Sequence, residues 1–228
     1  VNTGRPEIDN TDADYIIGSD ECGYGSWAGP LVVCAALVPL NWPLAGVVKD
    51  SKAFTGTKAE EKRAVVASKI IDKCLWVIKT VHVPEIDSFG VYKALIGAHT
   101  LAIKELIAKH KETGAVGKIL TIVDGTLPIP DAISLPKADG LVPAVSAASI
   151  IGKVARDAWM TKIATKYPGY GFESNKGYGS AQHEEGIAKL GVCDIHRKSY
   201  APIKEAMQRA EAAKTEVYVS VPDDLFED

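Results

Sequence analysis

No run of about 18 uncharged apolar residues occurs anywhere in the 228-residue chain, which excludes a membrane-spanning helix. Cysteine is scarce. Cys22, Cys34, Cys74 and Cys193 are too few and too scattered for a disulfide scaffold, and no CxxC pair suggests zinc. A reduced, cytoplasmic compartment is the simplest expectation. The first fifteen residues are polar and acidic, without the apolar core of a secretory signal. There is no internal repeat, and 46% apolar with 24% charged residues excludes a disordered, collagen-like or coiled-coil chain. One large domain, with at most a small appendage, fits the length.

Net positive charge is also missing: the formal charge is −3. Its distribution matters more than its sum. Residues 1–14 hold one base against four acids, and residues 216–228 hold five acids and no base. The body, residues 15–215, therefore carries 25 basic and 20 acidic side chains. A moderately basic body with acidic ends leaves phosphate binding open. Three parts are expected: an acidic segment 1–14, a main domain 15–204, and an exposed helix with acidic tail 205–228.

Two β-branched runs, Tyr15–Ser19 and Leu31–Val38, read as buried strands of a hairpin, with Pro30 and Pro39 as stops. Thr57-Lys58-Ala59-Glu60 is a plausible capping box for a helix reaching Ile71. Cys74–Val83 reads as a strand. Apolar spacing of three and four predicts a helix over Val91–His110. Ile119–Val123 is another buried strand, Ala132–Leu135 a short β-prone run, and Ala144–Tyr167 a long buried helix. Pro168–Pro202 is glycine-punctuated loop around a helix near Ala181–Leu190, and Lys204–Lys214 reads as a final exposed helix. Strands first and helices later, with strand–helix–strand between, indicate an α/β fold with a mixed sheet.

The chemical signal is the position of the acids. Asp20 ends one buried run, Asp124 ends another, and Asp139 precedes the long helix. Ligands of α/β sheets bind where strands turn into loops. Singly, each Asp reads more simply as a cap. Together, a carboxylate cluster repels itself and either gains protons or takes a cation, and an oxygen-only set favours Mg²⁺ or Mn²⁺. Glu21 poses a difficulty, because neighbours in a strand face opposite ways. It reaches the same site only if the strand ends before it, with Gly23 and Gly25 supplying a sharp turn at positive φ.

Lys49, Lys52, Lys176, Arg197 and Lys198 lie on expected loops suited to phosphate contacts. Tyr178, inside Lys176-Gly177-Tyr178-Gly179, either stacks on a sugar or base or anchors its loop. Ser146 and Ser149 read as small close-packing residues. His82, His99, His110 and His183 show no ligand spacing, and only His196, beside Arg197, is placed near chemistry.

In this order, the motifs resemble those of the ribonuclease HII family. They are Asp20-Glu21-Cys22-Gly23-Tyr24-Gly25 with Gly29-Pro30, Asp50-Ser51-Lys52, Val123-Asp124-Gly125 and Lys137-Ala138-Asp139. There follow Ala147-Ala148-Ser149-Ile150 with Lys153-Val154 and Arg156-Asp157, then Lys176-Gly177-Tyr178-Gly179 with His183, and His196-Arg197 with Ala201-Pro202. The resemblance implies a ribonuclease H-like fold, with a mixed central sheet flanked by helices and a small C-terminal region. It implies an endonuclease cutting the RNA strand of RNA–DNA hybrids, and incision 5′ of ribonucleotides embedded in duplex DNA. Asp20, Glu21, Asp124 and Asp139 would bind two divalent ions, with Asp157 either structural or placed behind the ligands. Gly23, Tyr24, Gly25, Lys52, Lys176, Tyr178 and Arg197 would contact substrate, the glycine turn through its backbone at the ribose 2′-OH and Tyr178 by stacking at the RNA-to-DNA junction.

The family usually has Gly-Arg-Gly where this chain has Gly23-Tyr24-Gly25, and tyrosine cannot supply the charge and fork of arginine. That departure leaves a ribonuclease H restricted to long hybrids as an alternative; a non-catalytic hybrid-binding module and a two-metal phosphatase or DNA nuclease are separate ones. A monomer is expected, and the acidic Asp223–Asp228 stretch contains no clamp-binding motif.

Overall fold

A computed structural model describes residues 3–50, 54 and 58–219. A short helix α1 (Pro6–Asp9) precedes strands β1 (Tyr15–Cys22) and β2 (Leu31–Pro39). Helices α2 (Ala45–Asp50) and α3 (Ala59–Ile70) lead to strand β3 (Leu75–Val81). Helices α4 (Val83–Phe89) and α5 (Val91–Glu112) follow, then strands β4 (Ile119–Asp124) and β5 (Ile133–Leu135). A 3₁₀ turn at Ala138–Gly140 enters the long helix α6 (Pro143–Ala164), and α7 (Phe172–Asn175), α8 (Ala181–Leu190) and α9 (Ala201–Val219) complete the order.

The five strands form one mixed sheet in the order β3-β2-β1-β4-β5. β1 runs antiparallel to β2 and parallel to β4, while β4 is parallel to β5. Leu31–Val38 is buried along its whole length, so both faces of the sheet must be covered. On one face Ile17, Val33, Ala35 and Leu37 pack with Leu95, Ala98, Ala102 and Leu106 of α5. On the other, Ile16, Cys34, Ala36 and Val38 pack with Ala144, Val145, Ala147 and Ala148 of α6. Each fully buried Val, Leu or Ile contributes about 1.5–3 kcal/mol, and the alternation along β1 and β2 directs that energy to two separate helices.

The alanine-rich start of α6 allows it to lie almost on the backbone of β1. A Cβ at Gly18 would stand 2.1 Å from the N of Val145, so glycine is required there. Past the sheet, Ala28, Met160, Tyr170, Phe172, Ile187 and Ile203 form a smaller core that fastens α7, α8 and α9 to the end of α6. At the other end of the chain, Ile8 of α1 is fully buried in the α6-side core.

Several boundaries differ from the sequence reading; the last helix, for example, begins at Ala201 instead of Lys204. Val83 begins α4 instead of ending β3, because Pro84 suits the first helical turn and cannot serve a strand. β1 continues through Glu21 to Cys22 instead of ending before them. Thr57, and with it the expected capping box, lies outside the described residues. No helix among the described residues is long and apolar enough to cross a membrane.

Candidate active site

The register of the parallel pair brings the acids together. Ser19 of β1 sits opposite Val123 of β4, so the next residues, Asp20 and Asp124, emerge side by side where the parallel pairing of the two strands stops. Asp20 pairs with Cys34, whose Cβ would touch one added at Gly152 of α6, so Asp20 belongs to the α6 face. Glu21 pairs with Val33 and belongs to the α5 face. The two neighbours therefore approach the strand ends from opposite sides of the sheet, with no need for the strand to stop. The Glu21 N–H donates to Asp20 Oδ1 at 2.9 Å, drawing the Asp20 carboxylate toward the C-terminal end of β1.

Asp139 is delivered by the 3₁₀ turn. Its N–H points at Asp124 Oδ1 at 3.4 Å, and its carbonyl accepts the Ser146 hydroxyl of α6 at 2.6 Å. Ser146, read from sequence as mere packing, thus pins the turn that carries an acid. Burial raises the pKa of Asp124 above the usual carboxylate value, the negative charges of Asp139 and Glu21 add to this, and the N–H groups of Asp139 and Ala138 oppose it. A cation is what such a set accepts most readily. One oxygen of Glu21, Oε2, is buried without a hydrogen-bond partner. These all-oxygen donors fit a hard divalent ion. Among the described residues, no three His, Cys, Asp or Glu side chains converge tightly enough to grip an ion.

Beside the acids lies a turn built around two buried arginines. Arg156 of α6 donates to the carbonyls of Pro30 and Lys176, both at 2.9 Å, and to Ser26 Oγ at 2.7 Å. Arg197 donates to the carbonyls of Gly29 at 3.0 Å and Tyr24 at 2.9 Å, and to the Tyr200 hydroxyl at 2.8 Å. Gly23 has φ +88°, and a Cβ there would meet the Arg156 guanidinium at 2.1 Å. Gly25 lies outside the positive-φ region, so only one of the two glycines turns the chain in the expected way. Tyr24 and Tyr178 stand on this surface 40% and 37% exposed.

Several expected substrate contacts are corrected. Arg197 is fully buried, with Nε and Nη1 donating to the Gly29 and Tyr24 carbonyls, so it shapes the turn from beneath. Lys176 is 7% exposed, with Nζ on Thr161 Oγ1 and the Glu173 carbonyl, both at 2.7 Å. Lys49 is in α2 instead of a loop, and Lys52 lies outside the described residues. His196 does not approach the acids; its Nε2 is 3.0 Å from that of His183, whose Nδ1 bonds the Tyr178 carbonyl. Asp157 pairs with Lys153 at 2.8 Å on α6, in keeping with a structural role. Sequence reasoning overlooked Arg156 and His99 as shapers of the site. Their signal was present: each is a polar residue among mostly apolar buried positions of its helix.

The family model for ribonuclease HII matches residues 17–203, the span that contains all of this machinery. The chain belongs to the ribonuclease HII family. It is accordingly an enzyme, a metal-dependent endoribonuclease of the hydrolase class. The ribonuclease HII of Halorhodospira halophila is 39% identical over 197 residues, covering 84% of this chain and 94% of that one. The ribonuclease H2 of Pyrococcus horikoshii matches in structure with a TM-score of 0.69 at 26% identity, over 86% of this chain and 99% of that one. A ribonuclease HII solved in complex with PCNA, from Archaeoglobus fulgidus, gives a TM-score of 0.66 at 23% identity, over 84% of this chain and 96% of that one; at that identity the likeness concerns the fold. The acidic stretch 223–228, where no clamp motif was found, lies outside the described residues.

Proposed function

We propose that this chain hydrolyses the RNA strand of RNA–DNA hybrids at the site where the parallel pairing of β1 with β4 stops, and that it incises 5′ of single ribonucleotides in duplex DNA. The observation that carries the reading is the side-by-side emergence of Asp20 and Asp124, with Asp139 and Glu21 near enough to help raise the pKa of Asp124. Asp20, Glu21, Asp124 and Asp139 would hold two Mg²⁺ or Mn²⁺ ions. When bound, such ions supply activation of a water and stabilisation of the charge developing on the leaving 3′-oxygen. A pure binding module gains nothing from four carboxylates facing a phosphate backbone.

The chain's own work is to position the hybrid. The backbone around Gly23–Gly25 reads the 2′-OH, the group that separates RNA from DNA. Tyr178 stacks at the junction, and exposed Tyr24 widens the aromatic surface next to it. Arg156 and Arg197 hold that surface rigid from below, so the scissile phosphate is placed against the acids with little reorganisation. The products carry 5′-phosphate and 3′-hydroxyl ends.

A second reading, activity restricted to long hybrids, is favoured by Tyr24 alone. Arg197 and Tyr200 both bond the Tyr24 carbonyl, which leaves the side chain as the variable element of the turn. One gel separates the readings. The protein with Mg²⁺ or Mn²⁺ is given a duplex with one ribonucleotide, an RNA–DNA hybrid and an all-DNA duplex. Cleavage 5′ of the lone ribonucleotide is expected; cleavage of the hybrid alone selects the second reading, and cleavage of all-DNA duplex overturns both.

A further inference from the structure

His99 of α5 has no exposed surface and sits on the apolar stripe of Leu95, Ala102 and Leu106. Burying an imidazole there is unfavourable unless its nitrogens find partners. Nδ1 lies 2.8 Å from Ser19 Oγ. Nε2 has no hydrogen-bond partner, and neither has Glu21 Oε2. These two orphaned atoms face each other at 3.5 Å.

Proton accounting selects between the two arrangements open to a ring that carries one proton. The Ser19 hydroxyl has a single proton and two acceptors in reach, the Cys34 carbonyl at 3.1 Å and His99 Nδ1 at 2.8 Å. If the proton goes to Cys34, the ring must carry its own proton on Nδ1, and Nε2 then turns a lone pair toward the Glu21 carboxylate. If it goes to Nδ1, Nε2 carries the hydrogen and aims it at Oε2. Only the second arrangement avoids a buried contact between two acceptors.

We propose that His99 is a positioning residue for Glu21: backed by Ser19, its Nε2–H holds Oε2, so that Oε1 is the oxygen Glu21 presents to the crevice. Residues 19 and 21 share the α5 side of β1, which is why one histidine reaches both. The inference rests on Glu21 being a metal ligand, as proposed above. A liganding carboxylate gains affinity when a hydrogen bond behind it fixes its orientation, and loss of such a partner typically weakens metal binding about 10–100-fold.

The test is a calorimetric titration of Mn²⁺ into the nucleic-acid-free protein, beside steady-state kinetics on an RNA–DNA hybrid. His99→Phe is expected to bind Mn²⁺ at least about tenfold more weakly and to lower kcat with KM for the hybrid little changed. His99→Gln, whose amide can donate from nearly the same place, is expected to recover most of that loss. Should His99→Phe fail to fold, Ser19→Ala carries the same expectation in weaker form. The nitrogen resonances of His99 in the metal-free protein are expected to show the proton on Nε2, and a proton on Nδ1 alone overturns the proposal. Asp124→Asn is run alongside. If it loses Mn²⁺ binding while folded His99→Phe and Ser19→Ala keep wild-type affinity and kcat, the positioning role falls and the metal site stands. If Asp124→Asn also binds as wild type, the metal site falls and the positioning role falls with it.

Discussion

The hydroxyl of Tyr178 accepts the N–H of Gly23 at 3.1 Å, joining the two segments proposed to face substrate across 155 residues of chain. Arg156 strengthens the link, because its guanidinium bonds Ser26 and the Lys176 carbonyl and lies 5.4 Å from the centre of the Tyr178 ring. The Gly23–Gly25 turn and the Tyr178 ring are therefore tied into one unit.

Tyr178→Ala is expected to reduce cleavage of single-ribonucleotide duplexes roughly tenfold more than cleavage of long hybrids, the order of one lost base–aromatic stack. Tyr178→Phe keeps the ring and loses the bond to Gly23, and is expected to retain most junction activity. Equal losses on both substrates would remove Tyr178 from the junction.

Gly23 and Gly25 are expected to respond differently to alanine. At Gly23 the new Cβ meets a buried guanidinium at 2.1 Å in a positive-φ backbone, so Gly23→Ala should lower Tm by several degrees. At Gly25 nothing lies within 4 Å, and Tm should stay within about 1 °C. A loss of activity in Gly25→Ala at unchanged Tm reports a substrate contact directly; unchanged activity excludes one there.

Asp124→Asn should remove most Mg²⁺-dependent cleavage while leaving the fold intact, and activity within about threefold of wild type would refute the assignment. Stability should move the other way. The folded pKa of Asp124 is raised, chiefly by burial, so its charged form opposes folding at neutral pH and the opposition disappears below the unfolded value of about 4. The metal-free variant is therefore expected to match or exceed wild-type Tm at pH 7, and the difference should shrink as pH falls toward 4.

His196 predicts acid lability of the C-terminal region. Burial, helped by the neighbouring His183, depresses its pKa to about 4. A base with a depressed folded pKa contributes its stability above the unfolded value of about 6.5 and loses it as pH falls toward about 4. Wild-type Tm should drop by several degrees across that window, and His196→Leu, if folded, should show a shallower slope. A slope equal to wild type would mean that other groups control the acid transition.

The strands, the two long helices and the acids at strand ends were legible in sequence because each rests on local pattern. Continuous β-branched runs mark strands buried on both faces, three-and-four spacing marks α5, and Pro30 and Pro39 punctuate β2. What stayed hidden depends on partners distant in the chain. A charged side chain flanked by Gly or Ser looks solvent-exposed until its neighbours are known, and Arg197 and Lys176 instead meet carbonyls and a hydroxyl inside the fold. The apolar stripe of α5 shows that His99 is buried, but the parallel register and the α5 side of β1 decide that it faces Glu21. Periodicity records which side of an element is buried; it carries no record of what is packed there, because that is chosen by the path of the rest of the chain.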